Sequence, residues 1–137
     1  MTQKRYVLIA IKPKYAELIK QGKKTVELRR VAPKVEAKDI LAIYESFPIC
    51  KVTSYAEVDA VVSLDLEKLW GNIGADAMVN RCDFDAYFKG KYFGNGIKLA
   101  KVKVLRNPKS LNILSGVKVP QNYRYLTEEQ FGQLIYE

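Results

Sequence analysis

The sequence predicts an α+β fold in which a small mixed or antiparallel sheet, curved into an open barrel, is surrounded by short helices. The chain has 137 residues, and its 48% hydrophobic and 28% charged residues are ordinary globular usage. Strand-like and helix-like segments follow one another in the order β-α-β-β-β-(α insertion)-β-β-α. We therefore expect a single domain over residues 1–137.

The first half of the chain predicts one helix and four strands. Residues 5–11 are rich in β-branched and aromatic side chains, which favours a buried strand. A helix follows, because Pro13 suits a first helical turn and Gly22 supplies a stop. The strand pattern then returns in residues 23–30, 39–46 and 53–66. The last of these is expected to bulge near Asp59.

The second half predicts a helical insertion, a long strand and a last helix. Short helices separated by glycines are expected around residues 65–90, with Asp83 as an N-cap. Residues 92–105 return to the strand pattern, and the Gly-Asn-Gly sequence at 94–96 indicates a turn or bulge. A loop with one short strand then leads to a final helix that Thr127 caps.

The composition excludes several kinds of chemistry. There is no histidine, which removes Ser-His-Asp and Cys-His nucleophiles and, with two cysteines, any ordinary structural zinc site. We expect no metal and no cofactor. Cys50 and Cys82 lie far apart without a C-x-x-C partner, so we expect them to be reduced thiols in the core.

No apolar run approaches the roughly 20 residues that span a bilayer. We expect a cytoplasmic protein without a membrane partner, and the oligomeric state is left open between a monomer and a weak dimer. The net charge of +8 is unevenly distributed, with nine basic and two acidic residues in 1–30 and nine basic and no acidic residues in 86–124. If these segments converge, they form a surface that phosphates recruit; otherwise they are ordinary solvated lysines.

The main candidate site combines Lys12 with residues 23–30. A helix that returns to a neighbouring strand would bring the two together. The alternation of strand side chains places Glu27 on the face opposite Lys24. The flanking cations should keep Glu27 ionised. Its carboxylate could then accept hydrogen bonds from a base edge or act as a general base. The alternative is a surface strand with cross-strand salt bridges. Within residues 23–30, called here the 23–30 strip, the candidate residues are Lys23, Lys24, Thr25, Glu27, Arg29 and Arg30.

A second pattern interleaves aromatic with basic residues. Single-stranded nucleic acids need such a pattern, because bases stack on rings while cations meet phosphates. It comprises Trp70, Tyr87, Phe88, Tyr92 and Phe93 with Lys89 and Lys91, and later Tyr123, Arg124 and Tyr125. For Trp70, Phe88 and Phe93 the spacing favours core packing, so only Tyr123 or Tyr125 is expected to face a cleft.

Residues 9–30 read IAIKPKYAELIKQGKKTVELRR, and DAYFKGKYFGNGIKL and VPQNYRYL follow later. These segments resemble the ASCH domain family, and the similarity runs over most of the chain. It implies a PUA-like β-barrel with a cleft beside the first helix, proposed across the family to hold RNA or modified nucleotides. The resemblance places Lys12, Lys24, Glu27 and Arg29 along this cleft, with Gln121, Tyr123 and Arg124 approaching from the C-terminal loop.

The resemblance also bears on activity. One branch of the family hydrolyses N4-acetylcytidine with a lysine, a threonine and a glutamate. Its lysine matches Lys24, but its threonine falls at Glu27, and its glutamate lies in the variable insertion. Other relatives are described as metal-dependent ribonucleases.

Three functions therefore remain open. The preferred one is an RNA- or nucleotide-binding module, in transcription- or translation-linked regulation, in which cations hold phosphates, Glu27 or Gln121 reads a base edge and Tyr123 stacks on the base. The second is a hydrolase acting on RNA or an acetylated nucleoside through Lys24 and Glu27, with the lysine pKa lowered by Lys23 and Arg29. The third is a protein-interaction domain whose acidic face lies at residues 55–85.

Overall fold

The computed structural model describes residues 3–136, in which six strands and four α-helices follow one another in the predicted order. The elements are β1 (Tyr6–Ile11), α1 (Pro13–Lys20), β2 (Val26–Arg29), β3 (Ile40–Glu45), β4 (Lys51–Asp65), α2 (Leu66–Ile73), α3 (Arg81–Tyr87), β5 (Phe93–Lys109), a 3-10 turn (Leu111–Ile113), β6 (Tyr123–Leu126) and α4 (Glu128–Ile135). The α+β class is confirmed.

The strands form one mixed sheet in the order β2-β5-β4-β3-β1-β6. β1 runs parallel to β3, and the other neighbours are antiparallel. β4 carries the predicted irregularity between Val58 and Ala60, and its pairing with β5 shifts at two further points. Such bulges bend a strand, which curves the sheet towards a barrel.

Three apolar clusters hold the elements together. Inside the curved sheet, under α1, lie Val7, Ile9, Ile19, Leu41, Ile43 and Ile97. On the opposite face, beneath α4, lie Leu8, Tyr44, Val52, Leu105, Phe131 and Leu134. Beneath α2 and α3 lie Val26, Leu28, Leu69, Ile73, Phe84 and Phe88. Because strand side chains alternate between faces, β2 gives Val26 and Leu28 to the third cluster and turns Glu27 and Arg29 the other way.

The helix ends follow local signals with one exception. Gly22 adopts a φ of +77° just after α1, as the predicted stop requires. Thr127 caps α4 in a capping box with Gln130. The cap of α3 is Asn80, whose side chain accepts from the backbone N–H of Asp83. Asp83 therefore lies inside the first turn, and its prediction as the N-cap was wrong.

Gly94 and Gly96 lie within regular β5 pairing, not in the predicted turn or bulge. Their role is close packing. A Cβ on Gly94 would lie 2.6 Å from Cε1 of Phe88, and one on Gly96 would lie 3.1 Å from Cγ1 of Val26. The glycines thus let the helical insertion approach the sheet.

Some predicted core residues are outside the core. Cys50 and Cys82 are both exposed, because one follows the turn between β3 and β4 and the other faces outward from the first turn of α3. Phe88 is buried as predicted, whereas Trp70 is half-buried and Phe93 is exposed. None of the helices described in residues 3–136 is long and apolar enough to cross a membrane.

Candidate ligand-binding cleft

A cleft of about 630 Å³ opens between the start of α1, strand β2, helix α3 and the loop before β6. Its polar lining consists of Lys12, Lys14, Tyr15, Lys24, Glu27, Arg29, Asp83, Tyr87, Gln121 and Asn122. The apolar remainder includes Ile11, Leu28 and Phe84. The lining comes from four separate segments of the chain, so only the tertiary fold assembles it.

Lys24 lies at the base of the cleft and is only 2% exposed. Its Nζ donates to the carbonyl oxygen of Ala77 at 2.5 Å, and lies 3.9 Å from Oε1 of Glu27. It also lies 5.0 Å from the ring centroid of Tyr15. Strand alternation predicted opposite faces for Lys24 and Glu27, but regular pairing of β2 begins only at Val26, so Lys24 is free to turn towards the carboxylate.

Arg29 is almost fully buried and is held by three groups. Its Nη1 lies 3.2 Å from Oε2 of Glu27 and 3.3 Å from the carbonyl oxygen of Ala10, and its Nη2 donates to the carbonyl oxygen of Asn122 at 3.0 Å. The alternative of an exposed strand with cross-strand ion pairs is therefore wrong: Glu27 is 6% exposed and pairs within its own segment.

Burial shifts the pKa of both members of this pair, and at Glu27 it acts against the flanking cations that were expected to keep the carboxyl ionised. It raises the pKa of Glu27, and the opposing attraction of Lys24 and Arg29 is the smaller effect. Burial likewise lowers the pKa of Lys24 against the effect of Glu27. The lysine pKa thus moves in the direction predicted for an acid or base, but through burial and not through Lys23 and Arg29. The two pKa values are drawn towards each other.

Tyr87 forms one wall of the cleft and was not among the predicted site residues. Its hydroxyl donates to the carbonyl oxygen of Leu28 at 3.2 Å and accepts from the backbone N–H of Arg30 at 3.3 Å. Burial raises the pKa of this phenol, and the charge of Arg29 opposes the rise. α3 therefore stands beside β2 with a ring facing the cavity.

The structure brings five predicted residues together around the cavity: Lys12, Lys24, Glu27, Arg29 and Gln121. Lys23 and Thr25 are exposed and are not among its lining residues. Arg30 lines a smaller neighbouring cavity of about 260 Å³.

The aromatic residues of β6 are placed differently. Tyr123 is half-buried against the cluster inside the sheet, and Arg124 points to the opposite face because the two are consecutive strand residues. Tyr125 accepts from the backbone N–H of Lys34. Tyr123 and Arg124 therefore do not line the cavity.

Sequence reasoning missed Tyr15, Tyr87 and Asn122. Tyr15 had a usable signal, since it lies three residues after Lys12 and so on the same side of α1. Tyr87 belonged to the aromatic–basic pattern but was not expected to face a cleft, and Asn122 had no signal, because only the docking of α3 and the loop before β6 brings them to β2. Among residues 3–136, no group of three or more Cys, Asp or Glu side chains is placed to hold a metal ion.

A curved mixed sheet with a cleft between its first helix and a helical insertion defines a PUA-like protein. More narrowly, the chain belongs to the ASCH domain family, whose model matches residues 9–115. The resemblance to the ASCH domain family found in the sequence is confirmed.

The ASCH domain-containing ribonuclease of Zymomonas mobilis is 28% identical over 136 residues, covering 96% of this chain and 91% of the relative. The crystal structure of ASCH from Zymomonas mobilis superposes with a TM-score of 0.90 at 27% identity, covering 97% of this chain and 95% of that one. The large ribosomal subunit protein uL22 of Ureaplasma parvum is 24% identical over 121 residues, covering 88% of this chain and 39% of that protein.

Proposed function

We propose that the protein binds RNA, or a nucleotide-sized part of it, in the cleft. The observation that carries the proposal is the buried Lys24–Glu27–Arg29 group at the base of a cavity of about 630 Å³ with tyrosine rings at its walls. Cavities of roughly 300–1,000 Å³ with a few converging polar groups are typical of small-ligand sites. A nucleotide offers the matching chemistry of a flat base, polar edges and a phosphate.

The proposed ligand contacts fall into two groups, one from exposed residues at the rim and one from residues inside the cleft. Lys12 and Lys14 are exposed at the rim, where phosphates would meet them without desolvating a buried group. Glu27 would read a base edge, because its Oε1 lies 3.9 Å from Lys24 Nζ, which is beyond hydrogen-bond distance, and so keeps its capacity to accept from a donor. Tyr15 and Tyr87, not Tyr123, would provide the rings that stack on the base.

Arg29 takes a positioning role in this proposal. Its donors already serve Glu27 and the carbonyl oxygens of Ala10 and Asn122, so it orients the carboxylate and shapes the cleft. Gln121 is exposed beside Asn122 and would contact the base or sugar at the mouth. The ribonuclease name of the Zymomonas mobilis relative supports RNA as the ligand class.

A hydrolase is the second candidate, and one observation favours it. Lys24 has a lowered pKa and Glu27 a raised one, with Nζ and Oε1 3.9 Å apart. Opposed pKa shifts of this kind are the pattern of general acid–base pairs. Thr25 is exposed and is not among the lining residues of the cavity, so this threonine would not supply the nucleophile there.

The test is a calorimetric titration with single-stranded RNA at two salt concentrations, after which the RNA is checked for cleavage and added acetylcytidine for hydrolysis. We expect binding that weakens with salt and intact ligands. Lys24→Gln should weaken binding at least tenfold, whereas Lys103→Gln, an exposed lysine outside the cavity lining, should not. Absence of RNA binding to the wild type would refute the proposal. Cleaved RNA or hydrolysed acetylcytidine that the wild type forms and Lys24→Gln does not form would establish the hydrolase.

A further inference from the structure

A second cavity continues from the cleft towards the insertion. It has a volume of about 260 Å³ and is lined by Arg29, Arg30, Val31, Tyr87 and Asn122. Three of these residues, Arg29, Tyr87 and Asn122, also line the cleft. The two cavities therefore adjoin each other at the same side chains.

Arg30 connects this cavity to the segment after α3. Its Nη1 donates to the carbonyl oxygen of Tyr87 at 2.8 Å and to that of Lys89 at 2.9 Å. The segment that begins at Lys89 is thus held beside the second cavity. Lys89 and Lys91 are both exposed there.

Two large aromatic side chains follow directly and are exposed. Tyr92 is 87% exposed and Phe93 is 65% exposed, whereas large aromatic residues usually bury most of their surface. Their backbone is fixed, because Lys91 N–H donates to the carbonyl oxygen of Phe88 at 2.9 Å and Leu66 N–H donates to that of Tyr92 at 3.1 Å. The rings are therefore presented to solvent from an ordered support.

We propose that Arg30, Lys89, Lys91, Tyr92 and Phe93, called here the track, form a second contact region for single-stranded RNA that leaves the cleft. The inference rests on the proposed function. It makes the ligand a polynucleotide in place of a free nucleotide, with the track holding the nucleotides that flank the one in the cleft. Phosphates would meet the three cations while bases stack on the two rings.

Charge selects RNA over a protein partner for this surface. The sequence has no acidic residue from 86 to 124, and the carboxylates nearest in sequence to the track have other partners. Asp85, four residues before Lys89, accepts from Arg81 Nε at 2.9 Å, and Glu27, three residues before Arg30, pairs with Arg29 and Lys24. Across the ladder, Asp65 pairs with Phe93, but its carboxylate accepts from Lys68 N–H and lies 3.6 Å from Lys68 Nζ. Exposed rings between unopposed cations match stacked bases on a phosphate chain.

The experiment compares ligand lengths. Each ribonucleoside 5′-monophosphate and a mixed-sequence single-stranded RNA octamer are titrated calorimetrically into wild type, Tyr92→Ala and Lys89→Gln/Lys91→Gln. The matched controls are Tyr136→Ala, a ring that is 80% exposed, and Lys103→Gln/Arg106→Gln, which removes the same charge from exposed positions in β5. Far-ultraviolet circular dichroism confirms that each variant is folded.

We expect Tyr92→Ala to weaken octamer binding at least about fivefold, which is the lower range for one stacked base, and to leave monophosphate binding unchanged. Lys89→Gln/Lys91→Gln should reduce the slope of log K against log salt by about 1.4 for the octamer, since two phosphate contacts on a single strand are lost. The controls should match wild type in both measurements.

The outcomes separate the two proposals. Octamer binding that the track variants weaken, without monophosphate binding, would support the track as an RNA contact and refute the cleft as a site that holds a single free nucleotide. Monophosphate and octamer binding that the track variants change no more than their controls would overturn the track and leave the cleft intact. Absence of both kinds of binding would overturn both, and the exposed rings would then belong to a protein interface.

Discussion

The Arg29 guanidinium donates to the main-chain carbonyl of Asn122 at 3.0 Å, across 93 residues of sequence. Arg29 ends β2, at one end of the strand order, and Asn122 precedes β6, at the other end. One side chain thus links the two margins of the sheet and, through Glu27, the base of the cleft. The curvature of the sheet and the shape of the cleft therefore depend on the same buried cation.

Arg29→Ala should lower the free energy of unfolding by about 3–5 kcal/mol, because it leaves the buried Glu27 carboxylate and two carbonyl groups without their partner. Arg29→Lys keeps the charge but loses the planar fork of the guanidinium. Its free energy of unfolding should therefore lie between those of wild type and Arg29→Ala. Urea unfolding monitored by circular dichroism measures both. A loss below about 0.5 kcal/mol for Arg29→Ala, equal to that of the exposed Arg106→Ala, would contradict the linking role.

The pH dependence of stability should report the buried Lys24. Its folded pKa lies below the ordinary value of 10.5, so between these two values the unfolded chain binds more protons and stability rises with pH. We therefore expect the stability of wild type relative to Lys24→Met to increase as the pH approaches 10.5, with a limiting slope of about 1.4 kcal/mol per pH unit. Urea titrations at several alkaline pH values test this, with Lys103→Met as the control. A falling or flat difference would show that burial does not disfavour the ammonium.

Two glycine substitutions test the packing, because one should lower the stability of the fold and the other should raise it. Gly94→Ala would place a methyl group 2.6 Å from Phe88, and we expect a loss of about 1–3 kcal/mol through overpacking. Gly71→Ala lies within α2 with no atom near the added methyl, and should gain up to about 1 kcal/mol from helix propensity. Thermal unfolding of the two variants gives the comparison. Equal effects of both would mean that the insertion does not pack on β5 as described.

Removing the hydroxyl group of Tyr87 should make the wall of the cleft less stable. Tyr87→Phe loses hydrogen bonds to the Leu28 carbonyl and the Arg30 N–H, at about 1 kcal/mol each. Amide hydrogen exchange of Arg30 should accelerate while that of the β1 core amides changes only with global stability. Tyr92→Phe, whose ring is exposed, serves as the comparison. Unchanged exchange at Arg30 would exclude the contact in solution.

The sequence predicted the element order because its signals are local. Pro13 and Gly22 mark helix ends by backbone geometry and Thr127 marks one by a side-chain cap, and the structure confirms each of them. Asn80 was missed as a cap because Asp83, three residues later, carries an equally good capping side chain.

The site was predictable in part for the same reason. Lys12 and the 23–30 strip were found by charge pattern, but the burial of Lys24 depends on the Ala77 carbonyl, 53 residues away, which no local pattern reveals. The exposure of Cys82 is likewise decided by which side of α3 faces Phe88 and Leu69. Long-range docking, and not propensity, sets these features.

The position of Tyr87 has a further consequence for the behaviour of the protein in concentrated solution. A strand at the margin of a sheet is a template on which another chain can pair, and β2 is such a strand. The phenol engages the outward carbonyl of Leu28 and the adjoining amide of Arg30, and α3 stands over this edge. The insertion that forms one wall of the cleft therefore also shields the molecule from edge-to-edge aggregation.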